Sequence, residues 1–402
     1  MVDLKNIKEA RERLTGISRV TPMAYAPYLS EINKAKVYLK KENLQLTGSF
    51  KLRGAFNKIA SLSADERSKG VVAASAGNHA QGVAYSSQHF ECKATIVMPE
   101  ATPLLKVSGV KSYGAEVILY GANYDEAYKY AIEYGEKNHM TFVHPFADDE
   151  VISGQGTVSL EILEEYKDID TLIVPIGGGG LISGMAVAAK AINPNIKIIG
   201  VVASGAAAMK ESYEKDTPID SISVKTIADG IAVRDVTPKM FEYIRGLVDD
   251  IVEVEDKEIA SAILFLLEKH KLVVEGAGSV GVAAIMHNKI DIEDKTVALP
   301  LSGGNIDVTM LAQIIEKGLV KSSRKMNLVV TLIDKPGSLK MLTSIFVDVS
   351  ANIVQIDYDR DSVALDFGDA NVTIGLETKG SEHQDIIREK LSKNGYRFKE
   401  LY

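Results

Sequence analysis

Thr171-Leu172-Ile173-Val174-Pro175-Ile176-Gly177-Gly178-Gly179-Gly180-Leu181 is the stretch on which the fold turns. Thr171–Pro175 lacks the alternation of a strand that is wet on one side. That predicts a strand covered on both faces, as in a parallel sheet. Four glycines then stand in a row, where backbone can approach another group closely and take up dihedrals closed to other residues. From Ser183 to Ile192 apolar residues recur every three or four positions, which predicts a helix. A glycine turn between a strand and a helix start can wrap a phosphate with backbone N–H donors. The alternative is a flexible turn. The spacing is neither a dinucleotide GxGxxG nor a phosphate loop closed by a lysine.

The same rhythm runs outward in both directions. Short apolar runs at Val71–Ala74, Thr95–Met98, Glu116–Leu119, Lys197–Val202, Ile251–Val254 and Thr296–Leu301 alternate with helical patterns such as Asn123–Asn138. This predicts an α/β fold of open, mostly parallel sheets flanked by helices. A chain of 402 residues exceeds what one core fills, so about two or three domains are expected. Near residue 322 the pattern changes. Lys321-Ser322-Ser323-Arg324-Lys325 is short, polar and basic, and predicts a linker over 321–326. Beyond it the order reads strand (Asn327–Ile333), helix (Gly337–Val349), strand (Ile353–Asp359), strand (Ala370–Glu377), helix (His383–Asn394), strand (Tyr396–Leu401). That is the α+β ferredoxin-like plan. The expected divisions are therefore 1–320, with a smaller inserted subdomain at about 50–150, and 327–402.

Composition narrows the class. The net charge is −8, from 46 basic and 54 acidic residues, and the basic residues do not cluster. Nucleic acid and anionic membrane are not expected as partners. No apolar stretch approaches the roughly 18 residues of a membrane span. Met1-Val2-Asp3-Leu4-Lys5 has no apolar signal core, so a cytoplasmic enzyme is expected. The one cysteine, Cys92, allows no internal disulfide and reads as a packed thiol.

Three further segments carry candidate chemistry. Lys51 lies in Ser49-Phe50-Lys51-Leu52-Arg53-Gly54-Ala55. Among apolar and small neighbours its amine can be desolvated and freed to attack a carbonyl; taken alone, the segment reads sooner as a solvated helix lysine. Ser75-Ala76-Gly77-Asn78-His79-Ala80-Gln81-Gly82 follows the run Val71–Ala74. The free amides of a helix start there attract an anion such as a carboxylate. Asn78 can donate to an oxygen anion. His79 is either a packed ring at the helix start or an acid–base group. Leu301-Ser302-Gly303-Gly304-Asn305 places a hydroxyl at a strand end, where it can meet a ring nitrogen. All these loops follow strands, where open α/β sheets place their ligands.

Together these segments resemble the threonine dehydratases (threonine ammonia-lyases), of the tryptophan synthase β-like, fold type II pyridoxal-phosphate family. The likeness is carried by Glu42–Ala55, Ser75–Gly82, Val174–Leu181, Thr226-Ile227-Ala228-Asp229-Gly230-Ile231-Ala232-Val233 and Ser302–Asn305, in that order. It covers residues 1 to about 320. The resemblance implies pyridoxal 5'-phosphate as cofactor, held by Lys51 as a Schiff base. It implies Phe50 beside the ring, Asn78 on the phenolic oxygen, Gly177, Gly178, Gly179, Gly180 and Leu181 on the phosphate, and Ser302 at the pyridine nitrogen. Ser75, Ala76, Gly77, Asn78 and His79 would hold the substrate carboxylate. The implied reaction converts L-threonine to 2-oxobutanoate and ammonia, and L-serine to pyruvate. Lys51 moves the Cα proton, and the cofactor phosphate helps hydroxide to leave.

Two alternatives remain. Serine racemase, or another lyase of the family, is the nearer. The racemase uses a serine as second base where this chain has Ala76, and acidic metal ligands where it has Val202 and Ala208. No divalent metal is expected; a monovalent cation is left open. The remoter alternative is a non-catalytic amino-acid-binding protein. Residues 327–402 resemble an ACT domain, a regulatory module that binds amino acids. The match rests on Asp334-Lys335-Pro336-Gly337-Ser338-Leu339 and Ala351-Asn352-Ile353. It implies an effector such as isoleucine held between paired tails near Asp334, Pro336, Gly337, Asn352 and Ile353, or else a dimerisation module without ligand. A homodimer or homotetramer is expected.

Overall fold

The strand Thr171–Pro175 is buried along its whole length. It pairs in parallel with Lys197–Ala203 on one side and with Thr296–Pro300 on the other. In the computed structural model, which describes residues 1–361, 363 and 365–401, these strands centre a six-stranded sheet. Its order is Met23–Tyr25, Lys36–Lys40, Thr296–Pro300, Thr171–Pro175, Lys197–Ala203, Asp250–Val254. Only the edge pair Met23–Tyr25 and Lys36–Lys40 is antiparallel.

A second sheet of four parallel strands runs Glu116–Leu119, Ala94–Met98, Val71–Ala74, Thr141–Phe142. Its central strand shows why the run is apolar throughout. Val71 and Ala73 pack into one core with Ala80 and Val83 of the helix Asn78–His89. Val72 and Ala74 pack into another with Ala127 and Ala131 of the helix Tyr124–Lys137. Successive side chains point to opposite faces, and here both faces are covered. Burying a Val side chain fully stabilises by roughly 1.5–3 kcal/mol, so neither face tolerates a polar residue cheaply.

The helices Asp149–Glu165 and Gly180–Ile192 touch backbone to backbone. A Cβ on Gly184 would stand 2.7 Å from the nitrogen of Gly156. The glycines permit this approach, which sets where the second helix begins.

The contact pattern separates two units, Met1–Ile306 and Asp307–Tyr402. The sequence places the division after residue 320. The helix Val308–Lys321 is instead part of the second unit, where it meets the strand Lys325–Ile333. The expected six-residue linker contracts to Ser322, Ser323 and Arg324. Lys321 completes the helix, and Lys325 and Met326 already pair with Glu377 and Leu376.

The second unit carries an antiparallel sheet in the order Asn352–Asp359, Asp369–Glu377, Lys325–Ile333, Arg397–Leu401. The helices Ser338–Asp348 and Ser381–Lys393 contribute Leu342, Ile345, Phe346, Ile387 and Leu391 to its core. The burial of Lys325–Ile333 alternates residue by residue, as a sheet with one packed face requires. Among the described residues no helix is long and apolar enough to cross a membrane.

Candidate active site

Lys51 is the first residue of the helix Lys51–Ser61, and the chain before it is tied to a strand end. Ser49 bridges Gly303, and the Phe50 N–H donates to the Ser302 carbonyl at 3.0 Å. Ser302 itself is buried. Two sequence-distant candidates thus become neighbours through backbone bonds. The Lys51 Nζ donates to the Pro145 carbonyl at 2.9 Å and lies 5.4 Å from the centre of the Phe50 ring. Desolvation brings the amine down to about 8, against the opposing pull of the Glu275 carboxylate. An amine at that value has an appreciable neutral, nucleophilic fraction near neutral pH.

The residue after Pro145 reaches the glycine turn. A Cβ on Gly180 would lie 2.9 Å from the Phe146 Cβ, and one on Gly178 would clash with the edge of the Phe146 ring. A Cβ on Gly177 would stand 2.9 Å from the Cα of Ile231, in the single helical turn Asp229–Ile231. Gly179 takes φ +93°, in the left-handed region. Glycine is required at each position of the turn: Ile231 presses on Gly177, Phe146 on Gly178 and Gly180, and Gly179 needs its positive φ. The helix Gly180–Ile192 begins there, with Leu181 in its first turn, and its first amides have no intrahelical partners.

The third part is the turn after Val71–Ala74. The Gly77 N–H donates to the Ser75 Oγ at 3.1 Å, and a Cβ on Gly77 would meet nothing within 4 Å. Asn78 opens the helix, and Ala76 is half-buried beside it. His79 is buried, with Nε2 2.8 Å from the Val143 carbonyl. Burial and the Lys51 charge bring its imidazole down to about 3. It therefore stays neutral and donates from Nε2, as the packed-ring reading expects; its backbone N–H is what it can offer a ligand.

Glu275 was not singled out in the sequence, and Asn305 only as the end of the Ser302–Asn305 segment. Asn78 Nδ2 donates to Glu275 Oε1 at 2.7 Å, and Asn305 Nδ2 donates to Asn78 Oδ1 at 2.7 Å. Burial, seconded by the charge of Asp229, pushes the Glu275 carboxyl up to about 7. The available clue was a lone carboxylate ahead of Gly276-Ala277-Gly278-Ser279, small residues at the start of a helix. They are small because a Cβ on Gly276 or Gly278 would strike the carbonyl of Ile227 or of Gly303.

The lysine helix is anchored by a buried ion cluster that composition hides. Arg53 bonds Glu42 through Nε and an amino nitrogen, both at 2.8 Å, and bonds Glu161 at 2.6 and 2.9 Å. Lys40 joins Glu161 at 2.5 Å and the Thr21 carbonyl at 2.6 Å. The guanidinium favours the charged carboxylate, so Glu42 stays below the usual carboxylate range despite burial. Cys92 lies apart, buried, its thiol pushed up by burial and bonded to the Arg67 carbonyl.

A phosphate-bearing aldehyde fits these parts. The glycine turn offers amides where side chains are sterically excluded, the amine is held near 8, and among the described residues the buried hydroxyls of Thr47 and Ser49 have no partner. Such a site defines an enzyme that works through a lysine-bound carbonyl cofactor. The chain belongs to the pyridoxal-phosphate-dependent enzyme family, whose model matches residues 14–303.

Over 396 residues it is 48% identical to the L-threonine ammonia-lyase of Thermotoga maritima, covering 98% of both chains. Among solved structures, the processed form of threonine deaminase isoform 2 from Solanum lycopersicum is 39% identical at a TM-score of 0.74. That match covers 78% of this chain and 86% of the other. Maize serine racemase is 37% identical at a TM-score of 0.75, covering 80% and 98%.

In the second unit the residues singled out for an effector lie at two ends of one sheet. Asp334, Pro336 and Gly337 sit where Lys325–Ile333 turns into the helix Ser338–Asp348. Asp334 accepts from the Tyr358 hydroxyl at 2.9 Å and pairs with Arg360 at 3.3 Å. Asn352 and Ile353 begin the edge strand, opposite Glu377 and Leu376. Seven residues of strand, roughly 20 Å, separate Asn352 from the Asp334 end.

Proposed function

We propose that this chain is a pyridoxal-phosphate-dependent L-threonine ammonia-lyase that also deaminates L-serine. The observation that carries this reading is the Lys51 amine. It is desolvated, held on the Pro145 carbonyl, and adjacent in the chain of contacts to a turn where only glycine fits. When bound, pyridoxal phosphate supplies an electrophilic aldehyde and a conjugated ring that accepts the electron pair of a broken Cα–H bond.

The protein supplies the rest. Lys51 would hold the cofactor at its aldehyde, and its amine is the group that would take the proton from the substrate Cα. The amides of Gly177 to Leu181 would hold the phosphate. Phe50 would lie beside the ring, Asn78 would donate to its oxygen, and Ser302 would meet its nitrogen. A neutral hydroxyl there does not hold the ring nitrogen protonated as a carboxylate would. With the cofactor bound, that would favour loss of the β-hydroxyl, its proton supplied by the cofactor phosphate, over return of the proton to Cα. The first-turn amides at Asn78 and His79, with Ser75, Ala76 and Gly77, hold the substrate carboxylate.

Racemisation requires a proton carrier on the face of Cα opposite Lys51. Ala76 offers none, which supports the lyase over the racemase. A steady-state assay tests this: 2-oxobutanoate should form from L-threonine, with no D-serine from L-serine. Accumulation of D-serine faster than pyruvate would reverse the assignment.

The second unit is proposed to regulate this activity as a paired module. Asp334 and Gly337 lie far from Asn352 along one sheet. An antiparallel pairing of two Asn352–Asp359 edges would bring the Gly337 turn of one copy beside the Asn352 end of the other. Among the described residues that edge pairs only with Asp369–Glu377. The free amides at Gly337 suit an amino-acid carboxylate, and isoleucine is the effector proposed. Threonine turnover by the full chain should change with isoleucine. Unchanged turnover, with no heat of binding, would remove the proposal. The same pairing predicts a homodimer or a tetramer built from dimers, checked by sedimentation.

A further inference from the structure

The carboxamide of Asn78 is held from both ends. Its Oδ1 accepts from Asn305 Nδ2 at 2.7 Å, and its Nδ2 donates to Glu275 Oε1 at 2.7 Å. Neither bond survives a flip of the amide, which would set oxygen against the Glu275 carboxylate and N–H against N–H. The two partners are themselves fixed. Asn305 Nδ2 also donates to the Thr47 carbonyl at 2.9 Å. The Glu275 backbone N–H donates to the Gly303 carbonyl at 3.0 Å. Gly303 leaves no slack, since a Cβ there would lie 3.1 Å from Asn78 Nδ2 and 2.8 Å from the Glu275 carboxyl carbon.

An amide nitrogen carries two hydrogens, and Glu275 takes one. We infer that Glu275 and Asn305 are positioning residues, which lock Asn78 so that its one remaining N–H points to the ring oxygen of the bound cofactor. This rests on the assignment of Asn78 to that oxygen proposed above. A side chain free to turn would present its carbonyl to an oxygen anion part of the time. Here partner chemistry excludes that orientation. The raised value of Glu275 is compatible with the role, because a carboxyl oxygen accepts from Nδ2 whether or not the group is ionised.

The test uses holoenzyme with two readouts other than turnover: the pH dependence of the cofactor's visible absorbance, and the cofactor dissociation constant. Asn78→Ala should displace the absorbance titration and weaken cofactor binding about tenfold, the loss of one hydrogen bond to a charged oxygen. Glu275→Ala and Asn305→Ala should move the titration the same way, with a smaller loss of affinity. Glu275→Gln, which can still present an oxygen to Asn78, should restore the wild-type titration. Asn78→Ala combined with Glu275→Ala should be no worse than Asn78→Ala alone. If Glu275→Ala does not fold, the half-buried Asn305 carries the comparison.

A merely structural role would lower the melting temperature in these variants without moving the titration, and that result overturns the inference. Additive effects in the double variant overturn it as well. A wild-type titration in Asn78→Ala would instead refute the assignment of Asn78, and the inference with it.

Discussion

Arg53 grips Glu42 with two hydrogen bonds of 2.8 Å inside the protein, two positions along the helix from Lys51. Glu161 closes the guanidinium from the other side, and Lys40 closes Glu161. Each charge in the cluster is compensated only while the others are present.

Arg53→Met should therefore destabilise the protein by about 3–5 kcal/mol, since it leaves buried carboxylates without a cation. Thermal melting should show a fall of several degrees, with activity reduced through displacement of the lysine helix. Replacing Arg53, Glu42 and Glu161 together by apolar residues of similar volume should recover much of the loss. A melting point in Arg53→Met equal to that of wild type would show the cluster to be dispensable.

Lys51→Ala should lower threonine turnover by at least about a thousandfold, because it removes both the cofactor link and the proton carrier. The fold should persist, since the side chain contributes one hydrogen bond, to Pro145. Circular dichroism and a turnover assay on the same sample check this. Borohydride should fix the cofactor covalently in wild type and not in the variant.

Acid should find His79. Its folded value, about 3, lies below the ordinary histidine value of 6.5, so the folded state resists the proton that the unfolded chain accepts. Above pH 6.5 both states are neutral and the group adds no pH dependence. As pH falls below 6.5, stability is lost progressively, until the folded imidazole also titrates near pH 3. The loss between pH 6.5 and 5 should be roughly 1.6 kcal/mol. His144, also brought down by burial and by the Lys51 charge, to about 4, adds in the same direction. Melting curves at the two pH values should converge by about that amount in His79→Gln. An unchanged acid sensitivity would exclude His79 as its source.

Gly178→Ala should weaken cofactor binding about tenfold or more, because the added methyl must displace Phe146 or the turn itself. Gly246, beside whose Cα there is open space, provides the control: Gly246→Ala should leave affinity unchanged. Fluorescence titration of apoenzyme with pyridoxal phosphate measures both. Equal affinities in the two variants would mean that the turn adapts, and that its glycines are not required by contact.

Much of the architecture was legible because burial on both faces writes itself into composition. Val71–Ala74 and Thr171–Pro175, buried throughout, occur with the predicted limits, as does the half-exposed edge strand Glu116–Leu119. Lys36–Lys40 escaped notice because a lysine at each end breaks the apolar run. One of those lysines, Lys40, is buried against Glu161, a compensation that no local pattern displays. Thr141–Phe142 is two residues long and gains its identity from its neighbour Val71–Val72.

The sequence by itself determined which chemical groups are available and on what kind of element each sits. A lysine at a helix start, a run of glycines after a buried strand and a hydroxyl at a strand end are local facts, set by side-chain type and by periods of two and 3.6 residues. Tertiary structure alone decided what those groups face. Pro145 receives the Lys51 amine, Phe146 presses on the glycine turn, and Glu275 and Asn305 orient Asn78, across separations of up to 227 residues. The reason is physical. Burial shifts a pKa or fixes an amide only through atoms within a few ångströms, and packing of the whole sheet brings those atoms there.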